Sequence, residues 1–163
     1  MPLLFTLTFI GTLVANVVAW AVIHTASGWW VHRLPLERLR HDGWLLRPRR
    51  WERDGRTYQR WLRIRRWKDH LPEAGAVFSG GVSKRTLTGS LSGGLDRFVI
   101  ETRRAERGHW LALAGGPLFA LWNPPSGLAL MVAYGVVVNA PFIAVQRHNR
   151  LRALRILARR GAS

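Results

Sequence analysis

The sequence predicts a mainly α-helical, integral membrane protein of a single domain spanning residues 1–163. The expected order is an N-terminal transmembrane helix, a basic cytoplasmic and interfacial region, a C-terminal helical hairpin in the membrane, and a basic amphipathic tail helix. Charge blocks carry this expectation. Residues 1–32 and 108–146 contain no Lys, Arg, Asp or Glu, whereas residues 33–107 hold 19 basic and all nine acidic residues, and six more arginines follow from Arg147. Alternating uncharged and basic blocks are the pattern of spans separated by cytoplasmic segments. The nine tryptophans are a second sign. Trp30, Trp44, Trp51, Trp61, Trp67 and Trp110 lie close to arginines in the chain, and this pairing suits the headgroup layer. A net charge of +16 also suits nucleic acid, but the apolar blocks favour a membrane surface over a polynucleotide. The chain has no cysteine, which removes disulfides, thiolate metal ligands and an acyl-cysteine intermediate.

Leu3 to Ile23 is almost unbroken in its apolar character. About 21 residues at ~1.5 Å each cover ~31 Å, one bilayer core. A signal peptide is the alternative, but no basic segment precedes the stretch and Trp29-Trp30 follow it as an interfacial anchor. Residues 3–24 are therefore expected to cross with the N-terminus outside. Asn16 is expected to bond a neighbouring helix, and His24 to be an interfacial residue.

Residues 33–107 form the expected interfacial region. Pro35, Asp42-Gly43, Pro48 and Asp54-Gly55 punctuate its first part. Tyr58, Trp61, Ile64 and Trp67 recur every three residues, as on one face of a short helix, although the run Trp61-Leu-Arg-Ile-Arg65 fits a short strand equally. Residues 75–94 are rich in Gly and Ser and read as a loop, without a dinucleotide fingerprint, a P-loop or a Gly-x-Ser-x-Gly elbow. A helix is expected from near Leu95. The hairpin is expected over 109–146, with a turn at Asn123-Pro-Pro-Ser-Gly127 and a break at Asn139-Ala-Pro141. Its first arm, His109 to Trp122, is short for a full crossing at ~21 Å, so it either crosses with help from preceding turns or re-enters. Residues 147–161 carry Leu151, Leu154, Leu157 and Ala158 against arginines, a basic amphipathic helix.

The chemistry concentrates in Glu101-Thr-Arg-Arg-Ala-Glu-Arg-Gly-His109-Trp110, where a charged helix runs into an apolar one. Glu106 and His109 are three apart and share a helical face; Glu101 is two turns before His109, offset by ~80°. A carboxylate beside an imidazole fixes its tautomer and raises its basicity, which suits a general base for a hydroxyl. The plainer alternative pairs Glu101 and Glu106 with Arg103, Arg104 and Arg107 on a surface helix. A carboxylate-metal bundle needs a second Glu-x-x-His, which the chain lacks, so no metal is expected. The cations Arg65, Arg66 and Lys68 suit phosphate groups or anionic headgroups equally.

Several short stretches, in this order and at these separations, resemble the glycosyl-4,4'-diaponeurosporenoate acyltransferase family. They are Arg65-Arg-Trp-Lys-Asp69, Glu101-Thr-Arg-Arg-Ala-Glu106, His109-Trp110, Asn139-x-Pro141, Gln146-Arg147-x-Asn149-Arg150 and Arg155-Ile-Leu-x-Arg-Arg-Gly161. The resemblance runs from about Arg50 onward. It implies transfer of a fatty acyl chain onto the sugar of a glycosylated carotenoid or related glycolipid, at the cell membrane. On that reading the catalytic residues are His109 as base, with Glu106 or Glu101 orienting it. The substrate-binding residues are Arg65, Arg66, Lys68, Arg147 and Arg150 toward donor phosphates, with Asn139, Gln146 or an arginine such as Arg104 toward the oxyanion. The expected partners are the bilayer, the glycolipid acceptor and a thioester donor, acyl-CoA or acyl carrier protein, approaching a site that faces the cytoplasm, with no other cofactor. The rival function is a non-enzymatic membrane adaptor that binds anionic lipid or a partner enzyme.

Overall fold

The structure, a computed structural model, describes residues 7–71 and 91–161. Most of the expected Gly/Ser-rich loop, with Lys84-Arg85, and the first residues of the expected N-terminal span lie outside the described residues. Among the described residues the secondary structure is helical throughout, with no strand. Five α-helices follow one another: α1 Phe9–His32, α2 Leu36–Arg40, α3 Arg56–Leu62, α4 Leu91–Ala114 and α5 Pro125–Arg160. Short 3-10 turns at Arg50–Gly55, Ile64–Arg66, Lys68–His70 and Gly116–Leu121 join them.

Helix α1 starts where Thr8, in extended conformation, accepts the Gly11 N–H through its hydroxyl at 3.1 Å, the usual way to satisfy a free N–H at a helix start. It is long and apolar enough to cross a membrane, as is α5. Phe9, Ile10, Leu13, Val14, Val17, Val18 and Val22 all point outward, as on a helix whose solvent is lipid. Helix α5 has 36 residues, ~54 Å at 1.5 Å each. That exceeds a ~30 Å hydrocarbon core, and its arginines all lie in its C-terminal part, from Arg147 on.

The break expected at Asn139–Pro141 and the separate tail helix are both absent; α5 runs unbroken through Pro141. Proline removes one N–H from the helix ladder. Helix α5 packs along α4 through that stretch, and neighbouring helices make such a gap tolerable. The tail also differs from an amphipathic helix lying on a leaflet. Arg147, Arg150, Leu151 and Ala153 are buried in the protein. The Tyr58, Trp61, Ile64 and Trp67 face is interrupted as well. Arg63 takes the left-handed conformation at φ 47° and ends α3, so Tyr58 and Ile64 pack inward with Val145 and Leu151 while Trp61 is left 79% exposed.

Helices α1 and α5 both run antiparallel to α4. Arg104 of α4 reaches the His32 carbonyl at the end of α1, and Gly108 and Gly115 face Val31 and Ile23. The chain then turns through the 3-10 segment. At the tip Asn123 donates to Asn16 Oδ1 at 2.9 Å and accepts from Asn16 Nδ2 at 3.2 Å, while the Trp122 indole donates to the same Asn16 oxygen at 2.8 Å. Asn16 thus bonds the neighbouring chain segment, as expected of a polar residue in an apolar helix. Asn16 precedes the end of α1 by sixteen residues, so the hairpin rises ~24 Å along α1. Close approach of the three helices depends on Gly135. A Cβ there meets Trp20 Cη2 at 2.6 Å, and Trp20 is itself held by Phe119 and Tyr134 at ring distances of 4.9 and 5.4 Å.

Gly135→Ala is therefore expected to lower the melting temperature in detergent. Overpacking against a fixed indole costs about 1–3 kcal/mol, more than the ~1 kcal/mol that alanine gains over glycine in a helix. Gly116→Ala, where the added Cβ meets Val132 at an ordinary 3.6 Å, is the matched control and is expected to leave the melting temperature near that of the unmodified chain.

Candidate active site

Two adjoining polar clusters lie where the apolar helices meet the basic segment. The lower one is ionic. Glu106 of α4 is fully buried and is gripped by two arginines of α5, Arg147 at 2.8 Å and Arg150 at 2.5 Å. The Trp110 indole donates to Glu106 Oε1 at 3.3 Å. Arg147 also meets buried Glu52 at 3.5 Å and donates to the Leu45 carbonyl. Arg150 donates to the Leu46 carbonyl at 2.9 Å and lies 3.8 Å from Asp42, which takes Arg103 at 2.7 Å. Glu52 accepts the Tyr58 hydroxyl at 2.6 Å and the Arg49 backbone N–H. Burial, and then the bond to Glu52, push the Tyr58 hydroxyl well above its ordinary range, so it stays a donor. Three carboxylates, Asp42, Glu52 and Glu106, thus offset three guanidiniums, Arg103, Arg147 and Arg150. Pairing of this kind is what lets ions remain buried.

The upper cluster holds His109. One turn above Glu106, its Nδ1 lies 3.0 Å from Asn139 Oδ1 of α5, and its ring stacks on Phe142 at 4.7 Å. Asn139 is fully buried, and its amide nitrogen donates to the Gly135 carbonyl at 2.9 Å. A carbonyl only accepts, so the Asn139 amide orientation is set and its oxygen faces the imidazole. His109 must then donate from Nδ1. In the neutral ring the lone pair sits on Nε2, and no described residue occupies it.

The expected pairing of Glu106 or Glu101 with His109 is replaced by this arrangement. Glu106 is committed to Arg147 and Arg150, and half-buried Glu101 pairs with Arg104 at 3.3 Å. Arg104 also donates to the His32 carbonyl at 2.9 Å, which ties α4 to α1. Arg147 and Arg150 are enclosed and present no free guanidinium to a donor phosphate. Asn139 donates from its amide nitrogen to the Gly135 carbonyl and so holds its oxygen against His109 Nδ1. Gln146 is half-buried two turns beyond Asn139 on the same side of α5. Arg65 and Arg66 are exposed in the turn after α3, with Lys68 half-buried in the next turn. Glu52 was not singled out in the sequence, and Asp42, Tyr58 and Arg103 were read there only as a turn residue, part of a helical face and a partner in surface pairing.

A family model described as glycosyl-4,4'-diaponeurosporenoate acyltransferase matches residues 42–159. The chain belongs to this family. It is an acyltransferase, with carotenoid-related function. A protein of that description from Staphylococcus aureus strain bovine RF122 / ET3-1 is 30% identical over 132 residues, covering 79% of each chain. Another from strain N315 is 30% identical over 134 residues with the same coverage, and one from strain USA300 is 29% identical over 132. No solved structure matches the chain. The family match begins at Asp42, the first acid of the ionic cluster, and includes all six of its charged residues as well as His109 and Asn139.

Glu106→Gln is expected to strip the charge that two buried arginines require, a loss of about 3–5 kcal/mol for a broken buried pair. Thermal melts in detergent should show little folded protein. Glu101→Gln removes a partly exposed pair worth at most about 1 kcal/mol, and its melt should stay close to that of the unmodified chain.

Proposed function

We propose that the protein is a multi-pass membrane O-acyltransferase that moves a fatty acyl group from a thioester donor to a sugar hydroxyl of a glycosylated carotenoid or related glycolipid. The family supports the reaction class, and the relatives' name supplies the type of acceptor. The observation that carries the mechanism is the bond between His109 Nδ1 and Asn139. It leaves Nε2 as an acceptor at the level where apolar helices give way to the cationic layer. A glycolipid with its tail among the exposed valines of α1 brings its sugar to that level. A water-soluble donor reaches the same level from the polar side.

The acceptor hydroxyl oxygen attacks the thioester carbonyl carbon while its proton passes to His109 Nε2. The tetrahedral intermediate carries its charge on the former carbonyl oxygen, a charge for which the Gln146 amide is the candidate hydrogen-bond donor. Collapse breaks the carbon–sulfur bond, and the leaving thiolate takes the proton back from the imidazolium. The products are the ester and the free thiol. Glu106 acts here by position, holding α4 and α5 in register. With neither cysteine nor a serine elbow, the acyl group passes directly between substrates. The basic segment and the arginines after Val145 support a donor side in the cytoplasm by the positive-inside rule, with the start of α1 outside.

His109→Ala is expected to lower turnover by about 10²–10⁴, the usual worth of a general base, with unchanged melting behaviour. Asn139→Leu should lower turnover less, because the ring remains stacked on Phe142 with its tautomer no longer set. Acyl transfer by purified variants at matched concentration is the measurement. Near-full turnover in His109→Ala would remove the imidazole from the chemical step.

A further inference from the structure

Burial of Arg147 and Arg150 removes them as phosphate ligands, and the surface offers a different place. A groove of about 1040 Å³ opens along α3, lined by Trp51, Arg56, Thr57, Tyr58, Arg60, Trp61 and Leu62. Its construction is definite. The Thr57 hydroxyl donates to the Trp51 carbonyl at 2.6 Å, and the Trp51 ring lies 5.7 Å from that of Tyr58. Tyr58 is buried and anchored on Glu52, so the floor is tied to the ionic cluster. Arg56 and Arg60 are exposed and make no ion pair or hydrogen bond among the described residues. They stand one turn apart, which puts their stems ~6 Å from each other, a spacing suited to neighbouring phosphates. Trp51 and Trp61 are 56% and 79% exposed at this groove. Elsewhere exposed tryptophans carry cations of their own, as Trp29 does with Arg33 and Trp44 with Arg49.

The groove also lies at a useful distance from His109. Gly55, immediately before α3, takes a φ of 85° and accepts a hydrogen bond from His148 Nδ1 at 3.0 Å. His148 is nine residues beyond Asn139 on α5, ~14 Å along the axis. A ligand anchored by phosphates at α3 therefore needs an extended arm to bring a reacting carbonyl to His109.

We propose that this groove holds the nucleotide end of a coenzyme-A-type acyl thioester, with Arg56 and Arg60 on its diphosphate and Trp61 stacked on its purine. The assignment rests on the acyl-transfer reading and narrows it, because a carrier-protein donor brings a phosphopantetheine arm without a purine. Guanidinium-to-phosphate pairs and base stacking on an exposed indole are the interactions that recognise such a group.

The test is calorimetric binding of desulfo-coenzyme A to the full chain in uncharged detergent. Arg56→Gln with Arg60→Gln should weaken binding at least tenfold. Trp61→Ala should weaken it about tenfold, and Trp61→Phe should restore most of the loss because a ring remains to stack. Undetectable binding to the unmodified chain, or equal binding by the variants, overturns the proposal. So does a nucleotide affinity that falls in Arg65→Gln with Arg66→Gln but not in the groove variants. A fourth arm measures association with phosphatidylglycerol vesicles. If the groove variants lose vesicle binding and keep the nucleotide, the groove is a headgroup surface and the proposal fails. The acyl-transfer reading is tested separately by product formation in the unmodified chain, which succeeds or fails whatever the nucleotide affinity.

Discussion

Glu106 is the constraint on which the arrangement depends. A fully buried carboxylate needs compensating charge and hydrogen bonds, and here Arg147, Arg150 and Trp110 supply them. Both arginines also donate to carbonyls of the 45–46 turn. One acid thereby fixes the register of α4 against α5 and seals the basic segment onto both. The cluster reaches neutrality only when Asp42, Glu52 and Arg103 join it, so the segment before α3 is bound to the helices by charge as well as by the apolar packing of Tyr58 and Ile64 with Val145 and Leu151. The polar layer is thus part of the folded unit and does more than coat a membrane surface.

The register set at Glu106 is transmitted upward. His109 is one helical turn above Glu106, and Asn139 lies two to three turns before Arg147 and Arg150 along α5. Sliding α5 by one residue would separate the imidazole from the amide. Asn139 in turn is held by Gly135, whose lack of a side chain admits Trp20 from α1. A chain of contacts therefore joins α1, α4 and α5 through the candidate base. The apolar ends of the three helices thus fix the position of the imidazole.

Much of this was legible in the charge blocks and the hydropathy. The two long apolar helices, the polar stretch that follows α1 and the turn at Asn123 follow from the order of charged and apolar residues. The resemblance to the acyltransferase family rested on short stretches that the family match to residues 42–159 also covers, apart from Arg160 and Gly161 at the end of the last one. Pairing across helices was not legible. Helical spacing placed Glu106 beside His109, yet each side chain turns to a different part of α5, because a buried carboxylate gains more from two guanidiniums than from one imidazole. Arg147 and Arg150 looked like cations on an exposed tail for the same reason, since their partners lie 41 to 108 residues away in the chain. Pro141 signalled a break that neighbouring helices suppress. Gly135 gave no local signal, because its role is to leave room for a tryptophan more than a hundred residues earlier.

The most direct test of the account is the tautomer of His109, observed by nitrogen-15 NMR of histidine-labelled protein in lipid nanodiscs at a pH where the ring is neutral. The hydrogen bond to Asn139 predicts a proton on Nδ1 and a bare Nε2, with Asn139→Leu allowing both tautomers. A resonance from His109, assigned by its loss in His109→Ala, that shows the proton on Nε2 in the unmodified chain would contradict the mechanism.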